Sequence, residues 1–169
     1  VIANGTITVD VLPTVVLSSA AGTDNQIVCV NTAITPITYS LGGSATFANV
    51  TGLPVGTSFS VFAGTVTISG TPTVAGTYNY TVTTSGGTCT PATAVGTIQV
   101  DVAPAIALSS VAGTDNQAVC VNTAITNITY SISGSATGAI SSGLPAGVSG
   151  SFAAGTFTIS GAPTVAGNF

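Results

Sequence analysis

Ile68–Val82 reads ISGTPTVAGTYNYTV: the end of one strand, a Gly/Pro turn, a short loop closed by Ala75-Gly76, and a second strand of alternating Tyr and Thr. Alternation with a period of two, punctuated by turn residues, marks strands that face a core on one side. The opening of this stretch recurs as ISGAPTVAGNF at Ile159–Phe169, 91 residues further on.

That shift governs the rest of the chain. Leu17–Ser40, LSSAAGTDNQIVCVNTAITPITYS, returns at Leu108–Ser131, differing only where Ala20, Ile27 and Pro36 become Val111, Ala118 and Asn127. Gly52-Leu53-Pro54 maps onto Gly143-Leu144-Pro145, and Gly64–Gly76 onto Gly155–Gly167. The strand-like VIANGTITVDVL of residues 1–12 maps onto ATAVGTIQVDVA, Ala92–Ala103, and each copy is followed by a boundary proline, Pro13 or Pro104. A fixed period of this length means an array of repeats. Residues 1–13 are therefore expected to be the last, half-buried strand of a preceding repeat, 14–104 one complete repeat, and 105–169 a truncated repeat that stops where the strand led by Tyr78 should begin.

Composition excludes several functions. The chain has 169 residues with no Lys, Arg, His, Met or Trp, and its four acidic side chains are Asp10, Asp24, Asp101 and Asp115. Nucleic-acid binding needs cations to neutralise phosphates, and a polybasic contact with anionic lipid needs them too. General acid–base catalysis near neutral pH draws on His, Lys or a tuned Glu, and Lys–Asn isopeptide cross-links need Lys. No apolar run approaches the roughly 20 residues that span a bilayer, so no membrane insertion is expected. No basic n-region precedes an apolar stretch, so an export signal is expected outside these residues.

Strands are expected near 26–31, 34–41, 46–51, 57–62, 64–69, 77–84 and 92–102, with linkers around Leu12–Val15 and Ala103–Ile106. Short strands with turn signals at this spacing, and no helical periodicity, predict an all-β chain of β-sandwich repeats.

Three motifs carry a resemblance: Gly-Leu-Pro-x-Gly at 52–56, Gly-Thr-x-Thr-Ile-Ser-Gly-Thr-Pro at 64–72, and Ala-Gly-Thr-Tyr at 75–78. Together they resemble the Ig-like/cadherin-like repeats of bacterial surface proteins. With VCVNTAITPITYS and the later Gly-Thr-Cys-Thr, the chain is similar to tandem repeats of large Bacteroidota cell-surface adhesins, of the SprB type that serves gliding motility and leaves by type IX secretion. The resemblance covers residues 14–104 and most of the remainder. It implies tandem Ig-like β-sandwiches in the stalk of a secreted adhesin or filament, extracellular and on the cell surface, without cofactor, metal or catalytic activity.

Within that frame Tyr78 occupies the corner position where Ig-like sandwiches place a Tyr whose hydroxyl bonds nearby backbone, and Tyr80 points to the same face. Pro54, Pro72 and Gly76 read as structural turn residues. Carbohydrate stacking is the competing role for the tyrosines. Of the cysteines, Cys120 is the repeat counterpart of Cys29, and the counterpart of Cys89 would fall past Phe169. A Cys29–Cys89 disulfide is expected, with Cys120 unpaired by truncation; the rival is Cys89–Cys120 across the repeat boundary. Asp24 and Asp115 read as Asx-type turns rather than calcium ligands. The sequons at Asn4, Asn49, Asn79 and Asn127 read as chance in a Thr-rich chain.

The partners expected are neighbouring repeats of the same chain, with lateral homotypic association or a surface glycan as further ones, and no nucleic acid. The copies differ most at 47–51 and 57–63, where Phe47 and Phe59 become Gly138 and Gly150. A rival reading, a specific carbohydrate- or protein-binding module, therefore predicts an exposed cluster of Phe47 with Phe59 or Phe62. A third reading is a filament in which residues 1–12 complete a neighbour's sandwich.

Overall fold

A computed structural model describes residues 2–169, which form two compact units divided between Asp101 and Val102. The first unit holds β1 (Thr14–Leu17), β2 (Asn25–Cys29), β3 (Ile37–Gly42), β4 (Phe47–Thr51), β5 (Thr57–Phe62), β6 (Thr65–Gly70), β7 (Gly76–Ser85) and β8 (Thr93–Asp101). These form two four-stranded sheets, β1-β3-β6-β5 and β2-β8-β7-β4. All neighbours are antiparallel except β2 and β8, which run parallel from Asn25↔Thr97 to Cys29↔Asp101.

The alternation read from the sequence is what closes this sandwich. In β6, Val66 and Ile68 are fully buried while Thr65 and Thr67 point outward. Ile37 and Tyr39 extend the same inner face from β3, and Tyr80, Val82, Ile98 and Val100 meet them from β7 and β8. Burying a Val, Leu or Ile side chain stabilises by about 1.5–3 kcal/mol, so this cluster supplies the driving force that a nearly charge-free surface cannot. Outward Thr supplies hydration and strand preference together.

The β5–β6 hairpin turns on Ala63-Gly64, both left-handed (φ 47° and 76°), which suits a two-residue loop whose twist matches that of the strands. Ala154-Gly155 repeats that backbone with φ of 47° and 76°.

The second unit has a single sheet of β9 (Ala105–Leu108), β10 (Ile128–Ser133), β11 (Val148–Ala153) and β12 (Thr156–Gly161), ordered β11-β12-β10-β9. Shifted by 91 residues, this is the β5-β6-β3-β1 sheet, and the register survives: Ile128↔Ile159 repeats Ile37↔Ile68. Residues 116–120 and 138–142, the counterparts of β2 and β4, form no strand. Among the described residues nothing stands in for β7 and β8, and a strand without a neighbour has no ladder. Ile128, Tyr130 and Ile159 are accordingly half-buried where Ile37, Tyr39 and Ile68 are buried.

Four expectations are corrected. The expected linkers at Leu12–Val15 and Ala103–Ile106 contain the starts of β1 and β9, because the edge of β3 or β10 offers unpaired backbone to the chain just after its proline. Strand 34–41 starts only at Ile37, although Ile34 is buried with its N–H on the Gly70 carbonyl at 3.0 Å. Strand 26–31 ends at Cys29, ahead of Asn31 with its φ of 63°. The half-buried strand expected over residues 1–12 is not formed. Val1 lies outside the described residues, and Ile7 and Val9 are 91% and 88% exposed, against 0% and 2% for their counterparts Ile98 and Val100. The same residues become a strand only where β2 and β7 flank them.

Candidate functional site

The expected structural residues gather around the start of β7. The Tyr78 hydroxyl donates to the Val74 carbonyl at 3.2 Å, spanning the corner, and its half-buried ring packs on the core. A Cβ at Gly76 would touch that ring at 3.4 Å. Pro72 is fully buried, and its carbonyl accepts the Asn31 N–H at 2.8 Å. Pro54 is fully buried as well, and its carbonyl accepts both the N–H and the hydroxyl of Thr57, at 3.1 and 2.8 Å.

Tyr80 is the central group. Its hydroxyl meets that of Tyr39 at 2.9 Å between the sheets. Burial raises both phenols above the ordinary value of 10.0; for Tyr80 the bond to Tyr39 and the charge of Asp24 push further the same way, while for Tyr39 the bond to Tyr80 pulls back part of the rise. At neutral pH both are protonated, so the pair is a neutral hydrogen bond joining two sheets. It has neither a base nor access to solvent, and it is structural.

A polar clamp that the sequence reading missed fixes the loop before β2. Gln26 Nε2 donates to the carbonyls of Thr23 and Thr35 at 2.7 and 2.8 Å, and its Oε1 accepts the Thr35 N–H at 2.8 Å. Gln117 repeats this with Thr114 and Thr126 at 2.6, 2.7 and 2.8 Å. The recurrence of Asp-Asn-Gln in both copies was the available signal. The turn ahead of each clamp is held by hydroxyls, Ser19 on Thr23 and Ser110 on Thr114, both at 2.6 Å.

The expected Cys29–Cys89 disulfide is not formed; Cys29, Cys89 and Cys120 are all unbridged. Register gives the reason. Cys29 pairs with Asp101 at the last residue of β8, whereas Cys89 precedes Thr93, its first. The intervening strand holds Cys29 about 26 Å from Thr93 at about 3.3 Å per residue, while a disulfide takes Cα atoms no more than about 7 Å apart.

The aromatic cluster expected of a binding module is divided. Phe59 packs against the core, while Phe47 and Phe62 stand exposed on edge strands of opposite sheets. The exchange of Phe59 for Gly150 is a packing trade. Val66 becomes Phe157 on the neighbouring strand, and a Cβ at Gly150 would lie 2.4 Å from the Phe157 ring, which fills the space. On the second unit a cleft of about 650 Å³ is lined by Ile125, Ile128, Val148, Ile159 and Pro163. It lies over the inner face of the lone sheet, and Asp115, Asn116, Gln117 and Ser142 line it beside these apolar residues. Among the described residues no group of three or more His, Cys, Asp or Glu is placed to hold a metal.

No family model matches the chain, and no curated protein matches it. Solved structures do. A three-Ig-domain fragment of titin, in an E-to-A mutated variant, superposes with a TM-score of 0.62 at 12% identity, covering 92% of this chain and 56% of its own. An I-band fragment from titin gives 0.61 at 11% identity, with coverage of 92% and 56%. The chain thus spans just over half the length of these titin fragments. Domains 4–9 of the surface layer protein SbsC match at 12% identity over 88% of this chain and 26% of that one, with a TM-score of 0.38. No catalytic family is identified. The chain is built of tandem Ig-like β-sandwich domains.

Proposed function

We propose that this chain is part of the stalk of a secreted bacterial surface adhesin or filament, a mechanical spacer that holds a distal element away from the cell and serves attachment or gliding motility. Export by type IX secretion and a cell-surface location belong to the same reading. So do neighbouring repeats as the main partners, with lateral association of stalks or a surface glycan as further ones.

The observation that supports it most is the parallel ladder between β2 and β8. Tension on a tandem domain pulls its early strands towards the N-terminus and its last strand towards the C-terminus. Parallel partners pulled in opposite directions load their hydrogen bonds together, in shear, rather than one at a time. The Val30 N–H bond to the Asp101 carbonyl, at 2.8 Å, continues this ladder past Cys29. The longest strands have nine and ten residues, which at about 3.3 Å each gives roughly 30 Å of length per domain.

Single-molecule extension of a tandem of whole repeats, under reducing conditions, tests the proposal. The expected record is a series of discrete peaks. Each should release roughly 280 Å, the reach of 91 residues at about 3.5 Å per residue less the folded length. Repeats that yield without a resolvable force peak would overturn the spacer role.

A further inference from the structure

β5 ends its sheet in the order β1-β3-β6-β5, so one of its sides is open. The alternation of its hydrogen bonds fixes which residues face that side. The two-residue turn at Ala63-Gly64 makes Phe62 and Thr65 exchange both backbone bonds. At the other end the Gly56 carbonyl accepts the Thr71 N–H at 2.9 Å, in the same alternation. Ser58, Ser60 and Phe62 therefore serve β6, while Phe59 and Val61 turn their N–H and C=O to the open side.

Charge, proline and bulge, which blunt sheet edges, are all absent here. The strand reads TSFSVF, and its pairing with β6 runs unbroken from Thr57↔Gly70 to Phe62↔Thr65. Phe62 stands 83% exposed at its end. The other edges are shorter or do not recur: β1 has four residues and follows Pro13, and the counterparts of β2 and β4 form no strand. The β5 edge recurs as β11, with the same unbroken register on β12 and the same turn backbone.

We propose that β5 is a homotypic docking edge, which a second copy of this chain joins through its own β5, antiparallel about a twofold axis at Ser60. The free backbone sets that register. The Thr57 N–H is taken by the Pro54 carbonyl at 3.1 Å, and Ala63 belongs to the turn with its φ of 47°. Residues 58–62 are left to pair, and Ser60 is their midpoint. Val61 then meets the copy's Phe59 on the inner side, each pair exchanging both open backbone bonds. Phe59 and Val61 already pack against the core, so the joined edge continues it. On the outer side Phe62 covers the copy's Ser58. In β11 the same register sets Phe152 against the copy's Gly150. A twofold contact brings each axial side chain against its own kind, where a charge would repel its like, and a strand without charge suits a second copy for that reason. The inference rests on the stalk reading and names the surface for its lateral association. The axis sets the two chains antiparallel, the direction in which stalks from two facing surfaces overlap. An array offers the edge once per repeat, so weak single pairings multiply through effective concentration.

Sedimentation of the whole chain tests the pairing. Ser60→Lys with Ser151→Lys puts like charges on both axes, and Ser60→Asp with Ser151→Asp does so with the opposite sign. Wild type is expected to shift from monomer to larger species as its concentration rises. Each charged variant should associate at least about tenfold more weakly, and their equimolar mixture should recover the wild-type behaviour. A further variant reads the register without charge: Ser60→Cys in a chain with Cys29, Cys89 and Cys120 changed to Ser. Opposed residues of a non-hydrogen-bonded pair have Cα atoms about 4.5 Å apart, within the roughly 4.4–6.8 Å that a disulfide takes. Oxidised glutathione should therefore give covalent dimers, whereas Ser58→Cys in the same background, facing Phe62, should give none. A wild type that stays monomeric at millimolar concentration, an association that both charged variants keep, a mixture that does not recover, or equal cross-linking at both positions overturns the inference. Force peaks are read on one chain at a time. Their survival in any of these cases leaves the stalk reading standing, and their loss removes it.

Discussion

The hydroxyls of Tyr39 and Tyr80 stand 2.9 Å apart inside the first sandwich, each ring carried by a different sheet. Both residues are almost wholly buried, so the hydroxyls bond each other where water does not reach, and Tyr80 also donates to the Asp24 carbonyl at 3.5 Å. This hydrogen bond ties the sheets to one another at their centre, across 41 residues of sequence.

Removing the Tyr80 hydroxyl leaves that of Tyr39 unsatisfied, whereas the Tyr80 hydroxyl also donates to the Asp24 carbonyl. Tyr80→Phe alone is expected to cost about 1–3 kcal/mol, the desolvation penalty of an orphaned buried hydroxyl, and Tyr39→Phe less, because Tyr80 keeps the Asp24 carbonyl. The double replacement is expected to cost no more than the worse single one, since no orphan remains. Urea denaturation of the four proteins in a double-mutant cycle checks this; additive losses would show that the hydroxyls act independently.

Alkaline pH should attack the same bond. Burial first, and then their mutual contact for Tyr80, raise these phenols above the ordinary 10.0. A raised folded value means that the unfolded chain loses its proton first. Stability is therefore complete below about pH 10 and drains away as pH rises beyond it, at up to about 1.4 kcal/mol per pH unit for one group. The urea midpoint measured between pH 7 and 11 should be flat and then fall, and the double Phe variant should flatten the alkaline limb.

Gly96 makes room for the pair. A Cβ there would lie 2.3 Å from the Tyr80 hydroxyl and 2.5 Å from the Asp24 carbonyl, a collision with backbone that no rotamer relieves. Gly96→Ala is expected to lower stability by about 1–3 kcal/mol through overpacking. Gly5→Ala, with nothing within 4 Å, serves as the control and should be silent. Equal thermal midpoints for both variants would refute the steric account.

Amide exchange should separate the two copies of one sequence. Residues 25–29 donate into the β8 ladder, while 116–120 have no ladder in the second unit. Hydrogen exchange read by mass spectrometry is expected to show slow exchange over 25–29 and fast exchange over 116–120. Matching protection would mean that the second segment finds a partner in solution.

Much of the fold was legible in the chain itself. The alternation of Thr with Val and Ile over residues 65–68 specifies a strand and the side it buries, since side chains of a pleated strand point alternately to opposite faces. The 91-residue register predicts that β9–β12 repeat the pairing of β1, β3, β5 and β6 before any contact is known. The site was less legible. Tyr78 was marked by its corner motif, but Tyr39, the partner of Tyr80, lies in another strand with nothing local to single it out.

What the sequence by itself determined is therefore local and periodic: strand faces, turn positions, repeat length and the chemistry that a chain without basic residues lacks. Which segments become strands was decided by tertiary neighbours. Ile98 and Val100 are buried between β2 and β7 while Ile7 and Val9, in nearly the same sequence, stand in solvent. The reach of the cysteines was decided the same way: the parallel register of β2 on β8 sets Cys29 at the end of the sheet opposite Cys89. A ladder hydrogen bond needs two backbones, so pairing is a property of the assembled sheet.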